Sequence, residues 1–247
     1  MKKTLVWDLP TRLLHWGFAA TVSAAFVVAF AVDDESPLFQ LHMIFGLAAA
    51  FLAVVRIALG LVGSRHARFR NFPLKPMEAV RYAIGVVSGR ARSFAGNNPG
   101  SAWAALAMLA LVPLLALSGI GSGGEAFEDL HEVLAYALLA IVGAHLAGLA
   151  LHGVRHHENP ALPMITGRKD VPSQEGISSA HGAWGLALLG VATTWIVGLF
   201  ASHDPAAATV RLPVVNQLVN LGESREGERE WRGKGESSHR REDDDHR

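Results

Sequence analysis

Long apolar runs separated by short charged connections make up most of this chain. Five runs, at 12–32, 39–63, 101–121, 130–153 and 181–201, consist mainly of Ala, Leu, Val, Gly and Phe. A helix needs about 20 residues to cross a bilayer, and each run reaches that length. No water satisfies peptide groups inside the hydrocarbon, so segments of this kind must be helical. The pattern predicts an all-α, polytopic membrane protein whose spanning domain covers 1–201.

The connections predict the orientation. The stretch 64–98 carries Arg65, Arg68, Arg70, Lys75, Arg81, Arg90 and Arg92 against a single acid, Glu78. Asp33, Asp34 and Glu35 follow the first run without a base, and Glu125, Glu128 and Asp129 follow the third, again without one. Basic loops stay in the cytoplasm, which puts 64–98 inside and both acidic connections outside. Lys2, Lys3 and Arg12 then place the N-terminus inside, and Arg155, Arg168 and Lys169 do the same for the fourth connection. Lys2, Lys3 and Ala29-Phe30-Ala31 have the outline of a cleavable signal, but the apolar stretch is too long and contains His15-Trp16, so retention is expected.

A fifth crossing would leave the C-terminus outside. Residues 202–247 are expected to form an extramembrane, largely disordered tail: from 222 onward Glu, Arg, Asp, Ser and Gly leave almost nothing to bury. The amphipathic stretch 211–221 has no clear assignment between membrane surface and tail.

Composition removes several chemistries. The chain has no cysteine, which excludes disulfides, thiolate metal sites and C-x-x-C-H haem attachment. Its formal net charge is zero, and it carries no glycine-rich nucleotide motif and no feature of a nucleic-acid binder.

What remains is a set of histidines at membrane depth, where an ionisable side chain reads by default as functional. His131 and His145 are 14 residues apart, so they share one helix face about 21 Å apart. His42 and His131 lie near the predicted outer surface, and His15 lies near the inner one. Two imidazoles at each level would complete the coordination of one b-type haem iron per level, within a helical bundle. His152 matches the depth of His15 better than His145 does, but pairing through His152 would put the irons about 31 Å apart along the helix. Spacing favours His145 and leaves His152 as the competitor. Taken singly, each histidine also reads as a hydrogen-bonding link between helices.

Arg56 follows His42 by 14 residues and reaches the inner level on the same helix side. It reads either as a snorkelling side chain or as a partner for haem propionates, with Arg12 a weaker candidate for that role. Glu132 reads as a helix-start charge, and Gly17, Gly46, Gly60, Gly143 and Gly148 as packing positions. His66, His156, His157 and His181 fall in loops or at helix ends, and His203, His239 and His246 in the outer segment and tail. The His156-His157 pair alone is a weak metal signal.

Several stretches in order resemble the bacterial dihaem cytochrome b family, which includes the membrane subunit of nickel–iron hydrogenase, the formate dehydrogenase gamma subunit and superoxide oxidase. They are VWDLPTRLLHW at 6–16, the series His42, Gly46, Arg56, Gly60 and His66-Ala67-Arg68-Phe69, then Asn98-Pro99-Gly100, His131-Glu132 with His145, and ENPALPMITGRK at 158–169. The resemblance implies a four-helix haem-binding bundle, here with a fifth spanning helix, holding two haems b. It maps the inner ligands onto His15 and His145 and the outer ligands onto His42 and His131. It also implies a bacterial inner membrane protein moving electrons between membrane quinone and a periplasmic partner, such as a c-type cytochrome or a dehydrogenase or hydrogenase subunit. Two competing expectations stand beside it. One is a self-contained superoxide:quinone oxidoreductase, which the acidic outer loops disfavour. The other is a haem-free transporter or scaffold, which the lack of an inverted repeat disfavours.

Overall fold

The computed structural model describes residues 3–120, 125–157 and 159–221. Its helices are α1 (Leu9–Ala31), α2 (Gln40–Val62), α3 (Pro76–Ser88), α4 (Pro99–Ile120), α5 (Glu125–His156), α6 (Leu162–Thr166) and α7 (Gly182–Ala201). The strands are β1 (Thr4–Leu5), β2 (Arg168–Lys169), β3 (Thr209–Arg211) and β4 (Leu218–Asn220). Five helices, α1, α2, α4, α5 and α7, are long and apolar enough to cross a membrane. The chain is an all-α, multi-pass membrane protein.

Three of the spanning helices, α1, α2 and α4, begin where the sequence supplies a cap or a proline. Asp8 starts α1: its Oδ1 accepts the Thr11 N–H at 2.8 Å, and Pro10 fills a first-turn position that needs no donor. Asn98 does the same for α4, with Oδ1 2.8 Å from the Ser101 N–H and Pro99 next in line. Before α2, Ser36 caps a single 3₁₀ turn at Pro37–Phe39 that leads directly into the helix.

α1 packs along α2, α2 along α4, and α4 along α5, while α7 lies against α1 and α2. α1 and α5 meet hardly at all among the described residues. The middle of the bundle is held by Val22, Ala49, Ala53, Leu109, Val112 and Leu138, contributed by α1, α2, α4 and α5.

Short elements close both ends. At the end containing the α1 N-terminus, β1 pairs with β2, and Gly167 O accepts the N–H groups of Val6 and Trp7 at 2.8 and 3.0 Å. Gly167 has φ +76°, and a Cβ there would lie 2.8 Å from Trp7 O, so this junction requires glycine. Arg12 Nη1 donates to Ile165 O at 2.6 Å, and Trp16 Nε1 to Met164 O at 3.1 Å. The stretches 4–16 and 164–169, far apart in sequence, are thus one structural unit.

Three expectations change. The basic connection 64–98 contains a helix, α3, started by Pro76 and stopped by Gly89 in the left-handed region (φ +73°). Glu125, Glu128 and Asp129 belong to α5 and not to a loop, and acids in a first turn complement the helix dipole. The stretch 211–221 lies in a β3–β4 hairpin whose buried Val210, Val219 and Leu221 pack on Ile44 and Leu47 of α2 and Leu199 of α7. Here the register of two short strands, not helical periodicity, decides which side chains are covered. The tail 222–247, expected to be disordered, lies outside the described residues.

Candidate functional site

His42 lies in the first turn of α2 and His131 in the second turn of α5, and the fold brings them face to face. Their ring centroids are 6.0 Å apart with the planes at 72°. His42 Nδ1 donates to the Ala25 carbonyl of α1 at 2.9 Å. His131 Nδ1 donates to the Leu115 carbonyl of α4 at 3.1 Å, and Ser118 Oγ, 3.0 Å from that nitrogen, donates to the same carbonyl at 3.0 Å. A carbonyl can only accept, so each Nδ1 carries the ring proton and each Nε2 keeps its lone pair. Tying the second ring nitrogen to backbone in this way is how metal-bound histidines are oriented.

A cleft of about 580 Å³, counting its open mouth, adjoins the two rings and is lined by α1, α2, α4 and α5. Its walls are almost wholly apolar, including Val22, Phe26, Leu47 and Leu138. Gly46, one turn after His42, also lines it, and a Cβ there would meet nothing within 4 Å. Two imidazoles bonded to one metal at about 2 Å per bond would have centroids about 6 Å apart. The observed spacing fits that figure. Among the described residues there is no group of three or more His, Cys, Asp or Glu able to hold a metal ion. A pair of imidazoles against an apolar wall fits a metal whose remaining ligands come from a macrocycle.

His145 lies on the same face of α5 as His131, about 21 Å along the axis. There it is close enough to His15 of α1 for their charges to interact, and Arg56 acts on His15 as well. The His15 ring stands edge-on to Trp16 at 5.3 Å, and Trp16 is in turn held by Met164 O. His15, His42, His131 and His145 are all half-buried, as is His152.

Arg56 does not extend toward solvent. Its Nη2 donates to the Ala67 carbonyl at 3.2 Å, its Cζ lies 5.4 Å above the Phe69 ring, and the buried Asp8 carboxylate acts on its charge. Its other terminal nitrogen, Nη1, is buried without an acceptor, as are Nε of Arg12 and Nε of Arg68. Three guanidiniums with spare buried donors make this end of the bundle suited to an anionic group.

Other titratable residues have structural duties. His66 Nε2 donates to the Glu175 carbonyl at 2.7 Å, and its ring meets Trp7 edge-on at 6.1 Å. His203 is 2.7 Å from Gln40 Oε1, and His181 begins α7 in the left-handed region. Glu132 and His157 are exposed, and His239 and His246 lie outside the described residues. Gly60 packs against Phe69, while Gly143 and Gly148 face open space. Ser118 escaped the sequence reading. Its signal was a hydroxyl near the end of an apolar span, thirteen residues before a histidine.

Five spanning helices with histidines paired at membrane depth define a polytopic membrane protein built to hold a redox cofactor between its helices. The characteristic pattern of the prokaryotic cytochrome b561 family matches residues 6–167, more than half of the chain, and the protein belongs to that family. It is a membrane cytochrome b, binding haem b and taking part in electron transfer. The match ends before α7 and the hairpin. Searches of curated proteins and of solved structures gave no match.

Proposed function

We propose that the protein is a dihaem cytochrome b of a bacterial inner membrane, passing electrons between membrane quinone and a periplasmic redox partner. The facing His42 and His131, each with Nδ1 committed to a backbone carbonyl, carry this reading. They would hold one haem, and His15 and His145 the other. Bound haem supplies reversible one-electron chemistry at iron, tuned by its axial ligands and burial.

The chain's own residues do the rest. Leu115, Ser118 and Ala25 fix the outer imidazoles in one tautomer. The apolar lining of the cleft would keep water and counter-ions from a haem held there. Arg56, with a buried donor to spare, would neutralise propionates of the inner haem, and Arg12 would assist. His145, on the same face of α5 as His131, is the inner ligand in this reading, with His152 as its competitor.

Loop charge supports an orientation with the N-terminus and 64–98 in the cytoplasm and the C-terminus in the periplasm. In that orientation the His15 and Trp16 end faces the cytoplasmic leaflet, where quinone would exchange electrons with the inner haem. The outward acids would suit a basic partner such as a c-type cytochrome. Residues 1–201 would be the haem-binding membrane domain and 202–247 its extramembrane extension. Pyridine haemochrome analysis of purified protein tests the reading: two haems per chain, reducible by a short-chain quinol, support it. One haem or none, or haems that quinol leaves oxidised, defeats it.

A further inference from the structure

α3 lies outside the spanning set and displays an apolar face that no part of the described chain covers. Met77, Val80, Ile84 and Val87 recur at steps of three, four and three, so they form one stripe, and each is more than half exposed. Its packed side is different: Val86 is buried, and Tyr82 lies against Phe94 with ring centroids 5.7 Å apart.

Two contacts give the direction of α3. Tyr82 lies 3.7 Å from where a Cβ would sit on Gly100, in the first turn of α4. Gly89, just past the end of α3, comes within 3.9 Å of Arg155 Nη1 on the same measure, in the last turn of α5. The start of α4 and the end of α5 are at the same level of the bundle. Seven residues of helix cover about 10 Å, which is the usual separation of two packed helices. α3 therefore runs across α4 and α5 at their ends. At 13 residues it is too short to span.

The charges beside the stripe are basic but for one. Lys75 immediately precedes α3, Arg81 lies in its first half, and Arg90 and Arg92 follow Gly89, where Arg155 arrives from α5. The single acid, Glu78, is paired with Lys75 at 3.4 Å. Arg81, Arg90, Arg92 and Arg155 are exposed.

We propose that α3 lies in the bilayer surface at the His15 end of the bundle, with the Met77–Val80–Ile84–Val87 stripe among the acyl chains and the arginines around Gly89 binding anionic phospholipid headgroups. A helix with an apolar face and flanking cations has the composition of an interfacial element. The arginines select for lipid charge. Lipid is the occupant because the spanning helices that α3 crosses set its depth at the bilayer boundary. The proposal does not depend on haem content.

The absence of cysteine makes the test clean, since single labels carry no background. Ile84→Cys, Val87→Cys and Glu78→Cys chains, spin-labelled and reconstituted in phosphatidylcholine with phosphatidylglycerol, are compared for collision with oxygen and with a water-soluble nickel complex. Labels at 84 and 87 should favour oxygen and the label at 78 nickel. In parallel, native mass spectrometry of the full chain measures phosphatidylglycerol retained by the wild type and by an Arg90→Gln, Arg92→Gln, Arg155→Gln variant. Loss of about fivefold in retention per arginine supports the proposal. Water-accessible labels at 84 and 87, dipolar coupling between labels on two copies, or unchanged lipid retention in a variant with native circular dichroism would each overturn it.

Discussion

His42 and His131 face each other across the bundle, 6.0 Å between ring centroids, and neither ring is free to turn because each Nδ1 is bound to a carbonyl of a third helix. His42 reaches α1 and His131 reaches α4, so all four helices of the bundle fix the pair. In the dihaem reading, replacing either imidazole would remove one axial ligand and leave the other level intact. His42→Ala or His131→Ala should therefore lose one haem of two while keeping the helical content. Pyridine haemochrome stoichiometry reads this directly. Loss of both haems, or of none, contradicts an independent outer site.

Ser118 lies behind His131, its Oγ 3.0 Å from Nδ1. Ser118→Ala keeps the Leu115 carbonyl as acceptor but removes the hydroxyl that restrains the ring. Loss of such supporting partners commonly weakens metal binding by about 10–100-fold. Haem titration of apoprotein should show weaker binding at one site only, with a shifted midpoint potential for that haem. An unchanged titration and potential would reduce Ser118 to helix packing.

His145 and His152 separate by the same assay. His145→Ala should lose the inner haem, and His152→Ala should retain it. The reverse result would place the inner ligand two turns nearer the end of α5. The distance for electron transfer would then lengthen by about 10 Å along the helix axis.

Much of this was legible before folding. Apolar runs of bilayer length can only be helices, so the five spans follow from composition, and their ends differ by a few residues. The histidines stood out because charge is costly at that depth. What could not be read depends on three-dimensional partners. α3 has an apolar stripe too short to register as a span, inside a stretch whose arginines signalled only a loop. The hairpin 209–220 is held by contacts with α2 and α7, more than 140 positions away in the case of Ile44. The carbonyls of Ala25 and Leu115 have no sequence signature at all, because every residue has a carbonyl.

Gly60 illustrates how closely the arginine end is packed. A Cβ there would meet the Phe69 ring carbons at 2.2 Å, well inside contact distance. Phe69 is the ring beneath Arg56, so it cannot move without disturbing the guanidinium. Gly60→Ala should destabilise the protein by about 1–3 kcal/mol through overpacking. A fall in Tm in detergent checks it, and the inner haem should be the first released on heating.

Asp8 joins two functions that substitution can separate. Asp8 is 2 % exposed, and its carboxylate caps α1 through the Thr11 N–H and acts on the charge of Arg56. Asp8→Asn keeps an oxygen for the cap and removes the charge, while Asp8→Ala removes both. Loss of a side-chain cap costs about 1 kcal/mol, so the alanine variant should melt below the asparagine variant by that amount. Both remove the buried charge whose field acts on Arg56. If the guanidinium also holds an anionic propionate, both variants should bind the inner haem more tightly than wild type, since Asp8 no longer competes for it. If Arg56 serves only to brace the loop through Ala67 and Phe69, inner-haem affinity should fall in both variants. Haem dissociation rates at the two levels, measured by transfer to an apoglobin acceptor, distinguish these outcomes.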